Sequence, residues 1–209
     1  VLTIPVMILF GGSFFTGAWK QAKTFCVMPY PMQELAGKTL AVVGYGSIGR
    51  KVAAIGAAFG MRPVIATRTQ PADCPYPLVT VDEAFRLADV LTLHVPLTEQ
   101  TAGMVNARRL SAMKPTALLV NTARGGLIVE TDLAQALRDG VIAGAALDVL
   151  TEEPMGDTPL ADLENCTLTP HVAWTPLETR QRLLEQAVEN VRCWQPTRRS
   201  ILGLQPVLK

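Results

Sequence analysis

The stretch from Thr39 to Phe59 constrains the fold more than any other part of the chain. An apolar run, Thr39–Val43, leads directly into Gly44-Tyr45-Gly46-Ser47-Ile48-Gly49, and a helix-length amphipathic segment continues to Phe59. A strand that ends in G-x-G-x-x-G and opens a helix is the setting in which this motif binds a dinucleotide. The first glycine permits the tight turn, the second lets backbone approach the pyrophosphate, and the third lets the helix pack closely on the strand. The helix N-terminus then offers unpaired N–H groups to the anion. Glycine-rich turns are common, so the flanking strand and helix carry the weight of this reading.

From Lys38 onward, short β-branched runs alternate with helix-length stretches. The predicted strands are Thr39–Val43, Pro63–Thr67, Val90–His94, Ala117–Asn121, Gly144–Val149 and Thr167–Thr169. The predicted helices are Ser47–Phe59, Val81–Leu87, Ala107–Met113, Asp132–Arg138 and Pro176–Trp194. This alternation predicts an α/β fold, a doubly wound parallel sheet with helices on both faces. Thr80 with Glu83 and Thr175 with Glu178 have capping-box spacing, Pro176 stands where a first helical residue should, and Gly140 reads as a helix stop.

With 209 residues, 49% hydrophobic and 18% charged, the chain has ample material for a core and does not read as disordered. A net charge of +1 gives no reason to expect nucleic acid or an anionic membrane as partner. Cys26, Cys74, Cys166 and Cys193 are scattered without a C-x-x-C pair, so they read as reduced thiols of a cytoplasmic protein, and no metal-ligand spacing is present. Val1–Trp19 contains no charged residue. Pro5, the Gly11-Gly12-Ser13 break and the missing basic flank favour a covered helix over a membrane anchor or signal peptide. Residues 1–37 read as a connecting arm, 38–175 as the nucleotide-binding domain, and 176–209 as a C-terminal helix and tail that need another surface.

In an open parallel sheet, ligands bind beyond the carboxyl ends of the strands. The residues there are Thr67-Arg68, His94-Val95-Pro96, Asn121-Thr122-Ala123-Arg124-Gly125-Gly126, Asp148 with Glu152-Glu153-Pro154, and Pro170-His171. The acid that usually accepts hydrogen bonds from the NAD ribose is replaced by Thr67 and Arg68, and the nearest acid, Asp73, lies beyond the strand end. An arginine with hydroxyls suits a 2′-phosphate, which favours NADP over NAD. A ketone reductase needs a proton donor near its working pH, and histidine beside a carboxylate meets that need. Both His94 and His171 end strands, so position alone does not choose between them. Glu153 is the candidate carboxylate partner, and Arg124 could grip a substrate carboxylate through its two-pronged guanidinium.

These residues, taken in order, resemble the D-isomer-specific 2-hydroxyacid dehydrogenase family. The marks are Glu34-Leu35-Ala36-Gly37-Lys38-Thr39-Leu40, the glycine motif, His94-Val95-Pro96-Leu97-Thr98 with Thr101, Asn121 to Gly126, Leu147-Asp148-Val149 with Glu153-Pro154, and Thr169 to Trp174. They extend over roughly Gly17 to Asn190, and Trp19, Phe25-Cys26, Pro31 and Ala173-Trp174 resemble its glycerate dehydrogenase and hydroxypyruvate reductase branch. The likeness implies hydride transfer between NAD(P)H and a 2-oxo acid such as hydroxypyruvate or glyoxylate, giving the D-2-hydroxy acid. It implies Arg124 as substrate-binding and polarising group, His171 as acid/base and Glu153 as its partner. Gly44–Gly49, Thr67, Arg68, His94, Val95, Pro96, Thr101, Thr122, Ala123, Asp148, His171 and Ala173 would line the cofactor groove, and Trp174 would wall the substrate. Relatives of this fold that act as nucleotide-responsive corepressors supply an alternative with little turnover. Much of the N-terminal substrate domain of such enzymes is expected to be missing here, and a homodimer through the cofactor domain is implied.

Overall fold

In a computed structural model, which describes residues 34–69 and 71–194, the alternation resolves into one parallel sheet of seven strands. The readings made for Val1–Trp19, most of the connecting arm and the tail after Gln195 lie outside the described residues. The strands are β1 (Thr39–Val43), β2 (Arg62–Ala66), β3 (Leu78–Val79), β4 (Val90–Leu93), β5 (Leu118–Asn121), β6 (Gly144–Leu147) and β7 (Cys166–Leu168). Their order across the sheet is β3-β2-β1-β4-β5-β6-β7, with every neighbouring pair parallel. The chain therefore winds outward in one direction from β1 and then returns to wind from β4 in the other. The reversal falls between β1 and β4, where an open sheet leaves a crevice for a ligand.

Side-chain alternation explains why β1 sits at the centre. Leu40 and Val42 point into one buried cluster with Val52, Ala53 and Ile65, while Ala41 and Val43 point into the other with Phe85, Leu91 and Leu119. Successive side chains of a strand face opposite sides, so an uninterrupted apolar run fits only a strand covered on both faces. On the first face lies α1 (Ser47–Ala58), which buries Gly49, Val52, Ala53 and Gly56, the i, i+3, i+4, i+7 stripe of a helix. Among the described residues, the other α-helices between the strands are α2 (Val81–Leu87), α3 (Ala107–Leu110) and α4 (Glu130–Arg138).

The register aligns the functional end of the sheet. Val79, Ala66, Val43, Leu93, Asn121, Leu147 and Leu168 form one continuous row of paired residues across all seven strands. The next residues along, among them Thr67, Gly44, His94, Thr122, Asp148 and Thr169, stand together at the rim. Four of them continue the ladder: Gly44 N–H donates to Ala66, His94 to Val43, Asp148 to Asn121 and Thr169 to Leu147.

Several expectations are corrected in detail. β3 has two residues, too few for alternation to register. The helix expected over Ala107–Met113 stops at Leu110, because Ala112 and Met113 bond to residues only three back and tighten the turn. Thr80 and Glu83 form the expected capping box. Thr175 does not cap with Glu178: its hydroxyl donates to Val172 O at 2.7 Å, and Pro176 is the cap residue rather than the first helical one. Gly140 ends α4 as expected, with Val141 N–H reaching back to Ala136 O.

The chain divides into two compact units between His171 and Val172. Within the described residues the second unit holds α5 (Leu177–Cys193), a helix with no buried residue.

Candidate active site

The glycine turn after β1 is shaped by three different constraints. A side chain at Gly44, whose φ is +100°, would run into the carbonyl of His94. One at Gly49 would strike the carbonyl of Gly44. A Cβ on Gly46 would meet nothing of the protein within 4 Å, although that position bears on the mouth of the turn. The fold itself thus demands the first and third glycines, and the second is left for something that approaches from outside. The start of α1 agrees with an anion there, having neither a side-chain cap nor an acid in its first turn.

Next to this turn lies a cavity of about 470 Å³ lined by Ile48, His94, Val95, Pro96, Leu97, Thr122, Ala123 and Arg124. Ile48 is 61% exposed on the first turn of α1, an apolar side chain facing the groove rather than the core. Open backbone at Gly46, free helix amides and an apolar cleft at the strand-order reversal fit an extended nucleotide with a pyrophosphate at its middle. Leu97, named in the sequence only as part of the His94–Thr98 mark, joins this lining. The Thr101 hydroxyl donates to Pro96 O at 2.7 Å and accepts from Thr98 N–H at 2.8 Å, closing the loop after β4.

At the end of β2, Thr67 is half-buried and Arg68 exposed. Asp73, the nearest acid, is held by Arg50 in a two-pronged pair at 2.7 and 3.0 Å, and the Arg50 guanidinium lies over the Tyr45 ring at 4.6 Å. Tyr45 is also partly buried against the core cluster under β1.

The two histidines end in opposite environments. His94 Nε2 lies 3.0 Å from Thr92 Oγ1, and burial pushes its pKa down to about 4, so the ring is neutral near pH 7. His171 is half-exposed, has a left-handed backbone (φ 53°), and directs Nδ1 to Glu153 Oε2 at 2.7 Å. Glu153 also accepts from Leu150 N–H at 3.0 Å. The bond from His171, then that backbone N–H, with the positive charge of Arg124 contributing, hold its carboxyl below the usual carboxylate range. The pair borders a second cavity of about 710 Å³, lined also by Asp148, Met155, Cys166 and Thr169. Asp148 is buried and accepts from Thr169 Oγ1 at 2.5 Å, joining the ends of β6 and β7 just before His171.

Arg124 stands between the two cavities in sequence and in charge, lining the first and acting on Glu153 of the second. Its guanidinium Nη1 donates to Ala123 O at 2.6 Å. Gly125 follows because a side chain there would overlap the Leu150–Thr151 backbone, so the Arg124 loop and the Glu153 loop touch main chain to main chain. Ala173 and Trp174 belong to the other compact unit.

Two supporting residues received no role from the sequence. Glu130, the first residue of α4, accepts from Thr151 N–H and from Thr158 Oγ1, both at 2.7 Å, and so clamps the loop carrying Glu153. Its partners lie 21 and 28 residues away, beyond any local signal. Asn121 is fully buried and bonds at both ends of its amide to the Arg124 loop. One signal did exist for it, a polar residue closing the apolar run Leu118–Val120. Among the described residues, no helix is long and apolar enough to cross a membrane, and no group of three or more His, Cys, Asp or Glu could hold a metal ion.

Residues 14–173 match the family model described as "D-isomer specific 2-hydroxyacid dehydrogenase, NAD binding domain". The chain is 43% identical over 191 residues to a glycerate dehydrogenase of Methylorubrum extorquens, aligning 90% of this chain with 60% of that protein. It is 42% identical over 182 residues to a hydroxypyruvate reductase of Blautia hydrogenotrophica, aligning 84% with 56%. The structure of an acyclic imino acid reductase in complex with NADPH and D-Arg superposes with a TM-score of 0.78 at 32% identity, covering 85% of this chain and 57% of that one. The chain thus spans somewhat less than two thirds of the relatives it matches. A parallel sheet reversing at a glycine turn, a groove suited to NAD(P), and these likenesses agree: the chain belongs to the D-isomer-specific 2-hydroxyacid dehydrogenase family and comprises its NAD-binding domain.

Proposed function

We propose that the protein carrying this chain reduces a short 2-oxo acid, of the hydroxypyruvate or glyoxylate type, to the D-2-hydroxy acid, with NADPH preferred over NADH. The observation that carries the proposal is the 2.7 Å bond between His171 Nδ1 and Glu153 Oε2, a carboxylate on which the charge of groove-lining Arg124 also acts. The glycerate dehydrogenase and hydroxypyruvate reductase relatives supply the substrate class.

Bound along the groove, the dinucleotide supplies the hydride. Gly46 and the first-turn amides of Ser47, Ile48 and Gly49 hold its pyrophosphate, while Val95, Pro96 and Leu97 form an apolar wall. Arg124 binds the substrate carboxylate through its fork of N–H donors and polarises the adjacent carbonyl. His171 donates a proton to the carbonyl oxygen as negative charge develops there. Its Nδ1 is occupied by Glu153, so Nε2 is the nitrogen that delivers the proton. Glu153 fixes the ring orientation and which nitrogen faces the substrate. His94, neutral near pH 7, serves as wall rather than donor. Arg68 with Thr67 and Thr69 receives the 2′-phosphate. Asp73 is unsuited to ribose hydroxyls while Arg50 holds it, which favours NADPH.

The test is steady-state oxidation of NADPH with hydroxypyruvate or glyoxylate, comparing the protein with its His171→Ala variant. A loss of about 10²–10⁴-fold in kcat with nucleotide binding retained is expected for removal of the acid. Equal rates in the two proteins would remove His171 from the chemistry.

A further inference from the structure

Across the row of paired residues that ends the seven strands, Asn121 is the one polar member, and it is fully buried among Leu93 and Leu147 on either side. A primary amide placed there costs desolvation unless both of its ends are bonded. Both are: Oδ1 accepts from Ala123 N–H at 3.0 Å, and Nδ2 donates to Arg124 O at 2.9 Å. The backbone N–H can only donate and the carbonyl can only accept, so the orientation of the amide is fixed by its partners. Asn121 O also accepts from Asp148 N–H at 2.9 Å, which ties the same residue to the strand leading toward Glu153.

These two bonds bracket one peptide group, and that group holds the Arg124 side chain. Ala123 N–H is fixed by Asn121, and Ala123 O accepts from Arg124 Nη1 at 2.6 Å. Arg124 is otherwise exposed, and a free arginine samples many rotamers. Its aim therefore depends on the Thr122–Arg124 turn, and that turn on a buried amide. We propose that Asn121 is the positioning residue for Arg124, a role that rests on the 2-oxo acid reading given above. An aspartate of the same shape keeps the acceptor but loses the donor. Serine keeps one short hydroxyl and cannot span both partners.

The experiment measures kcat and KM for hydroxypyruvate, and the NADPH Kd by fluorescence, in the parent protein, Asn121→Asp, Arg124→Lys and the double variant. Asn121→Asp is expected to lower kcat/KM at least about tenfold, about 1.4 kcal/mol of transition-state stabilisation, with the NADPH Kd held within about threefold. In the Arg124→Lys background the same change should cost less than about twofold, because residues acting through one another are not additive. Asn121→Ser carries the same expectation should the aspartate variant fail to fold. A loss that persists undiminished beside Arg124→Lys makes Asn121 a support of the sheet alone and overturns the role, as does an unchanged kcat/KM. A parent protein that fails to oxidise NADPH with either oxo acid takes down the functional reading and this role with it. An active parent with an unaffected variant takes down the role only.

Discussion

Replacing His94 by glutamine isolates what it costs to bury an imidazole at the end of β4. In the native protein burial lowers the pKa of His94 to about 4, whereas in the unfolded chain the ring titrates near about 6.5. Between those values the unfolded chain binds a proton that the native protein refuses, so stability rises with pH across that window. The contribution is fully present above about pH 6.5 and is lost as the pH falls toward about 4. A gap of about 2.5 units, at about 1.4 kcal/mol each, amounts to about 3 kcal/mol at the acid end. Glutamine can still reach Thr92 Oγ1 and carries no proton to refuse. Urea unfolding at about unit intervals from roughly pH 7.5 to 4.5 gives the comparison. The parent should lose about 1.4 kcal/mol per pH unit relative to His94→Gln below about pH 6.5. Parallel curves would mean that the ring titrates normally, and His94 would then regain its claim as the proton donor.

The glycine turn separates packing from binding. Gly49→Ala should destabilise by about 2 kcal/mol or more, because its Cβ strikes the Gly44 carbonyl. Gly46→Ala should change stability by less than about 1 kcal/mol yet weaken NADPH binding at least about tenfold, read by fluorescence titration. Glu153→Gln should flatten the acid side of the unfolding profile. The carboxyl of Glu153 lies below its ordinary range, so its stabilisation is present above that range and fades as pH falls through the native value. With side chains 43% and 38% exposed, the pair contributes no more than about 1 kcal/mol, measured by the same urea titration. Arg68→Ala should lower the NADP-to-NAD affinity ratio, and an unchanged ratio would remove Arg68 from the 2′-phosphate site.

The parallel sheet was legible because β1, β4 and β5 are short apolar runs closed by glycine or polar residues, and each strand end carries its functional side chains one residue beyond. Arg124, Glu153 and His171 lie further out, three, six and three residues beyond the ends of β5, β6 and β7, in the loops that the strand ends open. Glu130 could not be picked out, since its two bonds close loops of more than twenty residues. Nor could the bonds by which the Thr101 hydroxyl pins Pro96 and Thr98 be read from a threonine in a strand-end loop. Strand position alone left the two histidines equivalent, and only the family resemblance favoured His171. Only the fold buries one ring and pairs the other with a carboxylate 18 residues away in sequence.

The central claim is hydride transfer to C2 of a 2-oxo acid with a proton from His171. Its most direct measurement uses NADPH deuterated at the transferable position, with hydroxypyruvate as acceptor and the glycerate resolved by chiral chromatography and mass spectrometry. The account predicts D-glycerate carrying one deuterium at C2, formed by the parent protein and lost in Arg124→Ala. Glycerate without deuterium, racemic product, or no product despite bound NADPH would contradict it.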